Sequence, residues 1–375
     1  MHSPLRHARS LFLKTRPIHL TFFVTRRCNA RCPFCFYAAA RDAEDGAPEL
    51  RPDEIRRVAG SLDALLWVLF SGGEPFLRED LAEVAQVFHD VNRAAFLTFP
   101  TNGLLPEAAV ETTEDVLRRC PESVVVVKVS LDGVGERHDA VRGTPGGFAK
   151  AVRTCEGLAR LAAREPRLEL GVNTLLGAAN RRDVPDVVRF VHGLAGVRAH
   201  TITLERAPGG GPAPGVGADD HRAATELLER LWSTRREPFH RFAGARLKAA
   251  QDRLQRRLLR RTLAERRRVL PCYAGRLNLV LTERGELHPC ESRWALSFGN
   301  VRDAGYDVRA MLRSARGRAV AAEVERGACW CAHECNLLTN ILFHPGTQPA
   351  LVREWARLGT DSATGDGRPG QEAIA

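Results

Sequence analysis

The chain has 375 residues, 44% hydrophobic and 27% charged, an ordinary globular composition that is ample for one large domain with a smaller one beside it. Its formal net charge is +10, carried almost wholly by arginine, because Lys14, Lys128, Lys150 and Lys248 are the only lysines. A composition rich in Ala, Gly and Arg is a sufficient source of that charge, so a nucleic-acid partner does not follow from it. Met1 to Ile18 lacks an apolar run of signal-peptide length, and no stretch reaches the roughly 18 to 20 apolar residues of a membrane span. The expected setting is cytoplasmic, with residues 1–17 as an N-terminal extension.

Strand-like runs recur along the first half at Ile18–Thr25, Ala64–Phe70, Ala95–Phe99, Val124–Val129, Leu168–Thr174 and His200–Leu204. Each leads into a loop holding Gly, Asn, Asp or Cys and then into a segment of helical period. One helix starts at Arg51-Pro52-Asp53-Glu54, with proline and acids in its first turn, and others are expected over Glu107–Arg119, Gly147–Ala163 and Arg182–Leu194. Alternating strand and helix predicts an α/β fold of parallel strands, a partial (β/α)6 TIM-like barrel over residues 18–210, with chemistry at the C-terminal ends of the strands. Pro208-Gly-Gly-Gly-Pro-Ala-Pro-Gly then opens a linker and an Arg-rich helical segment over 211–270. A small Cys-rich domain over 271–345 begins with a hairpin, Leu277–Leu281 and Glu286–Pro289, joined around Gly285. The tail, 346–375, is expected to fray beyond about Thr360.

Eight of the ten cysteines fall in two spaced clusters. Without a secretory signal, clustered cysteines are better metal ligands than disulfides. Cys120 and Cys155 sit singly in helical context, as buried inert thiols do. Cys28, Cys32 and Cys35 lie in the loop after the first strand, spaced so that three thiolates can each take one iron of a 4Fe–4S cubane. The fourth iron then has no local ligand and is open to an amino-acid chelate. A structural zinc site, the competing reading, wants four closed ligands. Cys272, Cys290, Cys329, Cys331 and Cys335 form the second group, four of which suffice to enclose an auxiliary 4Fe–4S cluster or a zinc ion.

The loop Cys28-Asn-Ala-Arg-Cys32-Pro-Phe-Cys35 matches the C-x3-C-x2-C signature of the radical S-adenosylmethionine (SAM) superfamily, and Ser71-Gly72-Gly73-Glu74-Pro75 resembles that family's Gly-Gly-Glu motif. Thr101-Asn102-Gly103, Ser130-Leu131-Asp132-Gly133, Asn173-Thr174 and the segment around Arg142 resemble family segments at successive strand ends, so the resemblance covers about residues 18–207. It implies a SAM site in which Glu74 pairs with the ammonium, Arg142 with the carboxylate, Ser130 and Asp132 lie near the ribose or methionine, and Gly72, Gly73, Asn102 and Asn173 line the cleft. Phe34 and Phe36 suit either adenine packing or the core.

The second half, with Gly285 and Cys290 in a G-x4-C arrangement, resembles the twitch or SPASM extensions of such enzymes. A full SPASM domain has more cysteines and two clusters, so one auxiliary cluster is implied. His333 is a remote alternative ligand. Peptide-oxidising relatives use an acidic residue just after the corresponding cysteine as base, which makes Glu291 the general-base candidate. The resemblance also implies an electron donor such as flavodoxin or ferredoxin.

For the Arg-rich stretch Gln251–Val269, a solvated amphipathic helix is the plain reading. Contact with anionic headgroups or an anionic substrate is the sharper one, with peripheral membrane contact as its consequence. Nucleic acid is not expected, since no aromatics interleave the arginines. With no added N-terminal domain to grip a leader peptide, a small-molecule, sugar or lipid-linked substrate is expected ahead of peptide or protein maturation. A non-catalytic metal-binding protein on the same fold is the contrasting class.

Overall fold

The computed structural model describes residues 2–41, 48–207, 211–234, 240–327, 329–330 and 332–363. Cys331 and the tail beyond Ala363 therefore lie outside the described residues.

Six strands alternate with helices: β1 (His19–Thr25), β2 (Trp67–Gly72), β3 (Phe96–Thr101), β4 (Val124–Ser130), β5 (Leu168–Leu176) and β6 (Ala199–Leu204). The first-half helices are α1 (Ala38–Arg41), α2 (Pro52–Gly60), α3 (Leu81–Asn92), α4 (Pro106–Arg119), α5 (Glu136–Arg142), α6 (Gly147–Arg164) and α7 (Val184–Gly193). Each strand pairs in parallel with the next, from β1 through β6. The strands sit where the sequence places them, because β-branched runs such as Val124–Val127 suit a pleated surface covered on both faces. Phe22, Phe70, Phe88 and Phe99 are fully buried between the sheet and its helices, and the Phe70 and Phe99 rings stack at 4.7 Å. Burying each such ring contributes roughly 1.5–3 kcal/mol.

Among the described residues, the second half builds no separate sheet. Its strands β7 (Asn278–Leu281), β8 (Glu286–His288) and β9 (Gly299–Asn300) continue the first, giving one nine-stranded sheet in the order β6-β5-β4-β3-β2-β1-β7-β8-β9. β7 runs parallel to β1, while β7, β8 and β9 pair antiparallel in turn. The hairpin turn uses Gly285 at φ +92°, with a Cβ there only 2.9 Å from Asn300 Oδ1.

The remaining helices are α8 (Ala218–Ser233), α9 (Ala245–Glu265), α10 (Val308–Arg313), α11 (Ala315–Arg326), α12 (Glu334–Phe343) and α13 (Gln348–Ala363). The Arg-rich segment is thus two helices. α9 buries Ala250, Leu254, Leu259 and Leu263 and packs against α8, α12 and α13. Its Arg256 pairs with Glu229 of α8 at 2.6 Å, and Arg257 with Glu354 of α13 at 2.7 Å. Where fraying is expected, α13 runs on to Ala363. Among the described residues, no helix is long and apolar enough to cross a membrane.

Candidate active site

A cavity of about 880 Å³ is lined by side chains from β1–β6 and from α8, α9, α12 and α13. Cys28, Cys32 and Cys35 all line it, as do Gly72, Gly73 and Glu74. Backbone packing places the two motifs together. A Cβ on Gly73 would lie 2.1 Å from the Arg27 carbonyl oxygen, and one on Gly72, at φ +116°, 2.4 Å from that of Thr25. The Gly73 and Glu74 amides donate to the Thr25 and Arg27 carbonyls at 2.7 and 2.8 Å. The glycines therefore admit the backbone of the cysteine loop itself.

Glu74 is almost fully buried, and burial pushes its carboxyl up to about 7 against the pull of its hydrogen bonds. It accepts from the Asn102 amide (2.7 Å), the Thr101 hydroxyl (2.8 Å) and the Phe76 amide (3.3 Å). The side chain so ties the end of β2 to the end of β3. Asn102 in turn donates to Asn29 at 2.7 Å, with its amide nitrogen 3.9 Å from the Cys28 sulfur.

Ser130, Arg142 and Asn173 line the same cavity. Asp132, expected beside SAM, lies behind them instead: it is fully buried, accepting from Arg142 Nε at 2.7 Å and from the Leu175 amide at 2.7 Å. Both oxygens are used within the protein, so it positions Arg142 and does not face the cavity. Burial raises the Cys32 thiol, and the nearby Arg142 cation pulls it back. Phe34 lies 5.9 Å from the Arg142 guanidinium, and Phe36 is half exposed with Arg206 5.5 Å above its ring; both line the cavity.

The C-terminal cysteines divide. Cys272 packs against the cluster of Ala274, Cys290 and Val324, and Cys272 and Cys329 line one small void with Asn336 and Asn340 of α12. Arg268 donates to the Cys329 sulfur at 3.1 Å. Cys335 points the other way, into the large cavity beside Glu334 and Leu338, with its thiol pushed up to about 12 by burial. Glu291, directly after the buried Cys290, reaches that cavity too. It pairs with His333 Nε2 at 2.9 Å and Arg206 at 3.3 Å, and burial raises its carboxyl.

With this geometry in place, residues 22–191 match the family profile described as the radical SAM superfamily. That stretch of the chain is a radical SAM domain. A PqqA peptide cyclase of Rhodopseudomonas palustris is 27% identical over 330 residues, 85% of this chain and 78% of that one. An AdoMet-dependent heme synthase of Nitratidesulfovibrio vulgaris is 26% identical over 301 residues, 76% of each chain. The match to the Fe-coproporphyrin III synthase of Methanosarcina barkeri is 32% identical but spans only 47% of this chain and 41% of that protein. Native anSMEcpe with bound AdoMet shares the fold at a TM-score of 0.60 and 17% identity, over 91% of this chain and 100% of that one. Streptococcus suis SuiB bound to precursor peptide SuiA does so at 0.57 and 13%, over 90% and 73%.

Radical SAM enzymes use a 4Fe–4S cluster and SAM, and their SPASM-type members carry auxiliary clusters. The donor set here fits the first of these: three cysteines outside any disulfide, on one loop, facing one cavity with polar strand ends opposite. Sequence reasoning passed over two residues of this radical SAM cavity. Lys128, on β4, donates to Thr201 at 2.9 Å and lies within electrostatic range of Glu334 and Cys335. Glu334 Oε1 is enclosed without a hydrogen-bond partner, and burial pushes that carboxyl up to about 7. Their signals were present. A lone lysine interrupts the valines of β4 on its inward face, and Glu334 opens a helix beside a cysteine.

Proposed function

We propose that this radical SAM enzyme oxidatively modifies a peptide or protein substrate at an unactivated C–H bond. Cys28, Cys32 and Cys35 hold the SAM-binding 4Fe–4S cluster. Ser130, Arg142 and Asn173 orient SAM, with Asp132 and Glu74 holding the strand ends in place. When bound, the cluster supplies the electron that splits SAM into methionine and a 5′-deoxyadenosyl radical, which takes the substrate hydrogen. Cys272, Cys290 and Cys329, with Cys331 from the sequence, would hold an auxiliary cluster, which would supply an acceptor for the second electron. Glu291 stands between Cys290 and the cavity, placed to take a proton as that electron leaves.

The observation that carries the peptide reading is the 330-residue likeness to a PqqA peptide cyclase, which runs through both halves of the chain. A small acidic molecule is the second reading. The likeness to an AdoMet-dependent heme synthase over 76% of both chains favours it, as does a cavity holding Lys128 and several α9 arginines.

The test is anaerobic purification and reconstitution, followed by SAM and dithionite. A brown protein with about eight irons per chain that releases 5′-deoxyadenosine supports the enzyme, two 4Fe–4S clusters being implied. A colourless zinc protein that leaves SAM intact overturns it. Mass change in peptides encoded beside the gene, against mass change in small metabolites, then separates the two substrate readings.

A further inference from the structure

Away from the cysteine loops, the N-terminal segment closes over the opposite end of the sheet, where Ser123 leads into β4. The His2 amide donates to the Glu122 carbonyl at 2.8 Å, and the His2 and His89 rings lie 5.0 Å apart, each more than nine-tenths buried. One nitrogen from each imidazole and one Glu122 oxygen lie within 4.8 Å of one another. We propose that His2, His89 and Glu122 form a second metal site, separate from both cysteine groups, that takes a divalent first-row cation such as Zn²⁺.

The hydrogen bonds around His89 favour this directly. Ser123 has one hydroxyl proton, and its oxygen lies 2.7 Å from the Ala94 carbonyl, to which it donates. Its contact with His89 Nδ1 at 3.0 Å must then run the other way, with Nδ1–H donating to the hydroxyl. That fixes the tautomer and leaves Nε2 with a lone pair, as an outer-shell hydrogen bond does for a metal-bound histidine. His2 Nε2 is enclosed without a hydrogen-bond partner, and its Nδ1 lies 3.7 Å from Glu122 Oε2.

Two neutral imidazoles and a carboxylate form an N/O donor set that suits Zn²⁺, with a fourth position open on the exposed Glu122 side. The ion would fasten the first residues to the sheet through its ligands.

The experiment is equilibrium dialysis of the full-length, cluster-loaded protein against micromolar Zn²⁺, with zinc and iron counted per chain and zinc-edge X-ray absorption recorded. The expected result is one zinc beyond the iron complement, with only nitrogen and oxygen neighbours, and slower tryptic cleavage after Arg6 when zinc is present. Glu122→Gln, at an exposed position, should weaken uptake at least roughly ten-fold, and His89→Asn should abolish it. No uptake, sulfur neighbours, or equal uptake by Glu122→Gln overturns the site. Because 5′-deoxyadenosine formation is measured separately, failure here is distinguishable from failure of the proposed enzyme.

Discussion

Asp132 holds Arg142 at the wall of the cavity, Nε to Oδ2 at 2.7 Å with both groups buried. Asp132 also accepts from Leu175, and its own carbonyl from Asn180 at 2.9 Å, so one residue joins β4, β5 and the loop after it. Asp132→Asn keeps the shape but leaves a buried guanidinium without its counter-charge, at a cost of about 3–5 kcal/mol. Urea unfolding under anaerobic conditions should show that loss, and SAM affinity should fall at least ten-fold by equilibrium dialysis. Parental SAM affinity in Asp132→Asn would mean that Arg142 does not meet SAM.

Gly73→Ala tests the packing of the cysteine loop. The added methyl would stand 2.1 Å from the Arg27 oxygen and 2.7 Å from that of Arg26, so the loop must move. Iron per chain should drop by about half, the auxiliary site being remote, with 5′-deoxyadenosine formation lost. Cys32→Ala should abolish SAM cleavage outright, and parental turnover there would refute the cluster assignment.

The strand ends were legible because each motif sits on a loop fixed by its own strand, and the strands announce themselves through β-branched runs. Long-range partnerships were not. Nothing local in Asn278–Leu281 says that it will pair in parallel with β1. The arginines of α9 read as a solvent or membrane face, yet Arg256 and Arg257 find carboxylates on α8 and α13, distant in sequence. For Asp132, a turn aspartate at a strand end looks the same whether it faces a ligand or an arginine ten residues on.

The contribution of two buried histidines to stability should fall as the solution is acidified from about pH 6.5, opposed by Glu74 and Glu334, whose carboxyls burial pushes up to about 7 and which therefore stabilise the fold on acidification. His138 and His221 are fully buried and held at about 4, burial being the main cause for each, against an ordinary 6.5. Below 6.5 the unfolded chain gains protons at these sites while the folded chain stays neutral down to about 4, so acid favours unfolding across that window. His138 Nδ1 also accepts from the Asp132 amide at 3.2 Å, a bond lost on protonation. The urea midpoint of His221→Leu should gain on the parent's as the pH is lowered from 7 to 4; a constant difference would remove His221 from the account.

The two directions of α12 give the last prediction. Helical spacing sends Asn336 and Asn340, four residues apart, to the side of Cys272 and Cys329, while Glu334, Cys335 and Leu338 turn to the cavity. On the proposed assignment of the auxiliary cluster to Cys272, Cys290, Cys329 and Cys331, Cys335 is the cysteine left over. Cys290→Ala should lose about four irons per chain, whereas Cys335→Ser should keep the wild-type count. Glu291→Gln should lower the ratio of product to 5′-deoxyadenosine by about 100-fold or more, the usual contribution of a positioned base. Iron loss in Cys335→Ser equal to that in Cys290→Ala would return Cys335 to the cluster and leave Glu291 and Lys128 as the cavity's reactive groups.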